Sequence, residues 1–90
     1  MIKKYVVSFN VDVELEIDES KFDNDFMEEF KQGFHEFNTI EEHITYLAEL
    51  NLRGICDNRD FIEGYGETEE MGINFKRIDF IDEEIEEITE

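Results

Sequence analysis

From Tyr5 to Ile17 the chain alternates. Tyr5, Val7, Phe9, Val11, Val13, Leu15 and Ile17 are apolar, Ser8, Asn10, Asp12, Glu14 and Glu16 between them are polar, and Val6 is the one exception. A period of two puts successive side chains on opposite faces, so the stretch predicts a long strand with one face on a core and one in water. It exceeds the usual length of about five or six residues, which predicts strong twist or a bulge. An open edge of that length invites aggregation, so pairing on both sides is expected.

The period then changes. Phe22, Phe26, Phe30 and Phe34 recur every fourth residue, with Met27 and Phe37 beside them, which predicts a helix with one aromatic stripe. Ser20 or Asp23 can cap its start, and Gly33 weakens its last turn, so it should stop or kink between Gly33 and Phe37. Thr39-Ile40-Glu41-Glu42 reads as a capping box opening a second helix, whose apolar face is Ile40, Ile44, Leu47, Ala48 and Leu52. Arg53-Gly54 closes it with a cation and a glycine free to take the left-handed cap.

Beyond Gly54 the pattern is weaker. Asp57 to Asp60 reads as a turn, Phe61-Ile62-Glu63 as a short strand and Gly64 to Glu70 as a loop. Alternation resumes over Met71 to Phe75 and slips by one across Lys76-Arg77, which predicts a bulge. In Asp82 to Glu90, Ile81, Ile85 and Ile88 fall at i, i+4 and i+7 among six carboxylates, giving either a short terminal helix or an acidic tail, with the helix favoured. Residues 1–90 therefore read as a single α+β domain in the order β-α-α-β-β. The expected fold is a three-stranded, mostly antiparallel sheet with two helices on one face.

Composition narrows what such a domain does. The 26 Asp and Glu against 8 Lys and Arg give a net charge of −18, which excludes a basic surface for binding nucleic acid. Low hydrophobicity with high charge usually means disorder, but nine Phe, three Tyr and eleven Ile provide enough apolar area for a core. No apolar run approaches the roughly 20 residues of a membrane span, and the first residues lack the apolar segment of a secretory signal. The lone Cys56 rules out an internal disulfide. Together these predict a cytoplasmic protein.

Residues able to carry chemistry are sparse. His35 and His43 have no metal-ligand companions at useful spacing, so no metal or other cofactor is expected. Asp57-Asn58-Arg59-Asp60 does not fit the ligand order of a calcium loop. Gly64-Tyr65-Gly66 lacks the context of a phosphate cradle, and Cys56 reads as a small buried apolar residue. With 26 acids in 90 residues, adjacent carboxylates carry no catalytic signal. The expectation is a protein that is not an enzyme and has no catalytic residues.

What remains is the charge. A small domain needs a net charge of only about 2–8 for solubility, and a larger surplus repels itself. Asp12, Glu14 and Glu16 form a row on the polar face of the first strand, Asp25, Glu28 and Glu29 line the first helix, and Glu67, Glu69 and Glu70 form a third group with Asp82 to Glu87. Tyr65 and Tyr46 are candidate aromatic anchors near these acids, and either is equally compatible with a place in the core. These residues predict a surface for a strongly basic partner, one whose groove normally tracks phosphates.

The stretches Val11-Asp12-Val13-Glu14-Leu15-Glu16, Thr39-Ile40-Glu41-Glu42-His43 and Phe61-Ile62-Glu63-Gly64-Tyr65-Gly66 look like those of short proteins carried by phages and mobile elements. In size, charge and compactness the chain resembles the small acidic inhibitors of the anti-CRISPR and DNA-mimic anti-restriction kind. That resemblance implies host-defence evasion by a protein–protein interaction in the cytoplasm of a bacterial host. The expected target is a CRISPR effector, a restriction enzyme or a similar basic nucleic-acid-binding protein. Two alternatives stand beside it: an immunity protein that blocks a nuclease toxin, and a homo-oligomeric structural protein whose acids only face water. Monomer and homodimer are both compatible with the sequence.

Overall fold

The computed structural model describes residues 1–89. The alternating segment forms strand β1, Lys4–Ile17. A short 3-10 turn follows at Glu19–Lys21. Helix α1 is Asn24–Gly33, with the Asp23 carboxylate accepting the Phe26 N–H, and it ends at the glycine. Helix α2 is Ile40–Leu52 and opens with the expected Thr39/Glu42 capping box. Gly54 after it takes the left-handed conformation at φ 73°.

The remainder is α+β but departs from one three-stranded sheet. Strands β2 (Phe61–Ile62) and β3 (Gly66–Glu67) make a minimal hairpin, and Thr68–Met71 forms a one-turn helix α3 where a loop was expected. Strand β4 then runs Ile73–Ile88 and pairs antiparallel with β1 along its whole length. The fold is thus two separate two-stranded antiparallel sheets with three helices. Strand β1 pairs on one side, not two. Residues 82–88 are strand, not helix: the i, i+4 spacing of the isoleucines loses to main-chain pairing with Lys4–Asn10.

The β1–β4 ribbon has two register shifts. One leaves Lys76 as an extra residue where the sequence slips phase, and the other leaves Ile81 extra. Between them the bulges keep one face apolar along the ribbon: Ile17/Ile73, Leu15/Phe75, Val13/Ile78 and Val11/Phe80 are cross-strand pairs. Only the root of this face is covered. Ile73 and Phe75 are buried with Phe22, Phe30, Leu47, Cys56, Ile62, Tyr65 and Met71, and Leu15 and Ile17 pack against that cluster. Beyond Val11 the ribbon leaves the globule. The molecule measures 56 × 26 × 19 Å and has a radius of gyration of 17.0 Å, against roughly 12 Å for a compact chain of this length.

Candidate partner-binding surface

The two faces of the ribbon differ in chemistry: one carries a row of acids, and the other carries the apolar side chains with Glu83 and Glu87 among them at the distal end. Because paired residues share a face, the register sets Glu16 beside Asn74, Glu14 beside Arg77, Asp12 beside Asp79, Asn10 beside Asp82, Ser8 beside Glu84 and Val6 beside Glu86. The expected row of Asp12, Glu14 and Glu16 is therefore joined on one face by Asp79, Asp82, Glu84 and Glu86. Sequence grouping had placed Asp82 to Glu87 with Glu67, Glu69 and Glu70. Pairing moves them to the ribbon instead. Residues two apart on a strand stand roughly 6.8 Å apart, about twice the 3.4 Å rise of a nucleic-acid strand.

Ion pairs interrupt this ladder near its root, and Lys4, paired with Ile88, stands on the same face at its tip. Arg77 Nε lies 3.1 Å from Asp79 Oδ2 and 3.8 Å from Glu14 Oε1, and Lys76 Nζ lies 3.6 Å from Glu16 Oε1. Among the described residues no ion pair reaches Asp12, Asp82, Glu84 or Glu86. These four are the unpaired carboxylates of the ladder, while Lys3 Nζ lies 3.8 Å from Glu87 Oε1 at the tip.

The other expected acids sit elsewhere. Asp25, Glu28 and Glu29 are exposed on α1. Glu67, Glu69 and Glu70 are exposed on β3 and α3 at the root of β4, and Glu69 lies 3.8 Å from the Arg59 guanidinium. Tyr65 is buried at 7 % exposure, and its hydroxyl meets His43 Nδ1 at 2.7 Å. That hydroxyl is committed to the core, so Tyr65 is not a surface anchor. Burial raises its pKa, with the neighbouring Tyr46 adding to the effect.

His43 is itself fully buried. The rings of Phe22, Phe26, Phe30, Phe37 and Tyr65 all lie with centroids 4.7–5.7 Å from its imidazole. Burial lowers its pKa, opposed weakly by Glu42. Among the described residues Nε2 finds no hydrogen-bond partner. Burial likewise raises the pKa of the Cys56 thiol, helped by Asp60 and Asp57. Such a thiol is protonated and unreactive at neutral pH. No group of three or more His, Cys, Asp or Glu able to hold a metal occurs among the described residues. No described helix is long and apolar enough to cross a membrane.

Two features of the ribbon were not read from the sequence. The Asn58 side chain donates to the Phe75 carbonyl at 2.8 Å and accepts the Phe75 N–H at 2.7 Å, so one amide stands in for a third strand at the root of β4. The second is an apolar stripe on the face opposite that ladder, bordered on β4 by Glu83 beside Phe9 and Glu87 beside Tyr5. Tyr5, Val7, Phe9, Phe80 and Ile85 remain 51, 48, 59, 67 and 71 % exposed, with Phe9 and Phe80 edge to face at 6.0 Å. At about 200 Å² per aromatic side chain, Tyr5, Phe9 and Phe80 alone leave on the order of 350 Å² open to water. Exposed apolar area on that scale makes this face a candidate interaction surface.

No protein-family model, curated protein or solved structure matches the chain.

Proposed function

We propose that the protein is a non-enzymatic acidic inhibitor that binds a basic nucleic-acid-binding protein, presenting carboxylates in place of phosphates. The ladder of Asp12, Glu14 and Glu16 with Asp79, Asp82, Glu84 and Glu86 on one face of a projecting ribbon carries this reading. A narrow ribbon is the shape that enters a groove, and Asp12, Asp82, Glu84 and Glu86 make no ion pair among the described residues. Binding would free the counterions of both surfaces, which makes affinity fall with salt. The apolar stripe on the reverse face offers desolvated contacts once the ribbon is seated. A CRISPR effector, a restriction enzyme or a nuclease toxin presents the required basic groove.

The test is affinity capture from bacterial lysate at low and high salt, with elution by duplex DNA and identification of what elutes. The expected result is a basic nucleic-acid-binding protein that is held at low salt, lost at high salt and displaced by DNA. Recovery of none at either ionic strength overturns the proposal. A variant with Asp82→Asn, Glu84→Gln and Glu86→Gln should lose most of the binding while keeping its circular dichroism spectrum.

A further inference from the structure

The distal ribbon leaves two things open together: the outer edge of β1 from Lys4 to Asn10, and the Tyr5, Val7 and Phe9 side chains along it. A two-stranded ribbon is marginal on its own, and three or more strands with an apolar face are needed for independent stability. The unpaired main-chain groups of such an edge take up another strand readily. Charge decides which strand. In a chain of net charge −18, Met1 to Val11 contains no Asp or Glu and is the longest run without one; its only charged side chains are Lys3 and Lys4. The opposite edge of the same ribbon carries Asp82, Glu83, Glu84, Glu86 and Glu87.

We infer that β1 pairs edge to edge with β1 of a second copy, antiparallel about a two-fold axis at Val7, to give a four-stranded sheet in the order β4-β1-β1-β4. The register follows from the part of the strand that is both acid-free and fully exposed, Lys4 to Asn10, whose midpoint is Val7; Val11, the next residue, is already half-buried. Tyr5 then faces Phe9 of the second copy, which doubles the width of the apolar stripe. Lys4 faces Asn10 and lies diagonal to the second copy's Asp12 on the acidic face, within reach of a long side chain. The two β4 strands stand at the outer edges, about 14 Å apart at the usual strand spacing, beyond the screening length of roughly 8 Å at physiological salt. Pairing through β4 would instead set five carboxylates against five.

This inference does not rest on the proposed function, and salt separates the two. Self-association of like-charged copies strengthens as salt rises, whereas a complex with a basic partner weakens. Sedimentation velocity of the full chain, from low micromolar to a few hundred micromolar and at two salt concentrations, should show monomer passing to dimer, with more dimer at high salt. Val7→Glu places two carboxylates at the axis and should raise the dissociation constant at least about tenfold, or 1.4 kcal/mol. Phe80→Glu, on the stripe but away from the β1 edge, should leave the dimer in place. In a Cys56→Ala background, Val7→Cys should form a disulfide between copies on mild oxidation, since opposed residues bring their Cβ atoms close enough. Monomer at every concentration in high salt, or no cross-link through Val7→Cys, overturns the inference. A dimer lost in Phe80→Glu but kept in Val7→Glu also overturns it, by showing face-to-face stacking instead.

Discussion

Asp12 stands directly opposite Asp79 across the ribbon, a like-charged cross-strand pair with Arg77 Nε 3.1 Å from the Asp79 carboxylate. Opposed like charges cost stability, and the arginine offsets part of that cost. Asp12→Asn should therefore raise stability by about 0.2–1 kcal/mol in urea denaturation. Arg77→Gln should lower it by a similar amount, about 0.2–1 kcal/mol, more at low salt than at high. An unchanged midpoint in both variants would show that the pair is fully screened.

The whole surface should respond to ionic strength in the same sense. A net charge of −18 on a chain of 90 residues repels itself, and added salt screens that repulsion. The melting temperature should rise by several degrees between low and high salt, given about 4–8 °C per kcal/mol for a domain of this size. Scanning calorimetry in sodium chloride checks this.

His43 makes stability depend on pH near neutrality. The unfolded chain takes up a proton near pH 6.5, while the buried imidazole resists it to lower pH. Stability is therefore complete above about 6.5 and falls as pH drops from there to the lowered folded value, with a slope of at most about 1.36 kcal/mol per pH unit. Urea midpoints measured at pH 7.5 and 5.5 should show the drop in the native chain and not in His43→Leu.

The hydroxyl that meets His43 has a measurable stabilising role. Tyr65→Phe keeps the ring among Phe22, Phe26 and Phe30 but leaves Nδ1 unpaired inside the core. A loss of about 1–3 kcal/mol is expected in chemical denaturation. A neutral Tyr65→Phe would mean that water reaches the imidazole.

Gly72 and Gly54 both sit in the left-handed region, at φ 70° and 73°, but only one is crowded. A Cβ on Gly72 would fall 2.5 Å from the Asp18 Cβ, where the Asp18 N–H donates to the Gly72 carbonyl at 2.9 Å, while a Cβ on Gly54 meets nothing. Gly54→Ala should cost about 1–2 kcal/mol for the conformation alone. Gly72→Ala should cost about 2–4 kcal/mol, because overpacking adds to it. Comparing the two melts isolates the crowding at the base of the ribbon.

What could be read from the sequence is what neighbouring residues decide. The alternation of Tyr5 to Ile17 and the Thr39/Glu42 capping box act over a few positions, and both elements form as expected. The slip across Lys76-Arg77 marked a real bulge. By contrast, Ile81, Ile85 and Ile88 fit a helix locally, and only pairing with Lys4–Asn10, distant in the chain, makes them strand. Asn58 reads as a turn residue because its partner, Phe75, also lies outside any local window. The acidic surface was half legible for the same reason: Asp12, Glu14 and Glu16 were visible as a row, and their junction with Asp82, Glu84 and Glu86 was not. Tyr65 sits between two turn glycines, which left anchor and core both open, and a fold that gathers Phe22, Phe26, Phe30 and His43 around it puts the ring inside.

The pairing of β1 with β4 also sets the order in which the molecule can assemble. Ile17 meets Ile73 and Lys4 meets Ile88, so the strand made first waits for the strand made last. On a ribosome the helices and their aromatic cluster can gather early, while the hydrogen-bonding groups of β1 stay unmatched until residues 73–88 have cleared the exit tunnel. Closure then runs outward from Ile17 as a zipper, and its most distant teeth, at Lys4 and Ile88, are the last to engage and the first to fray.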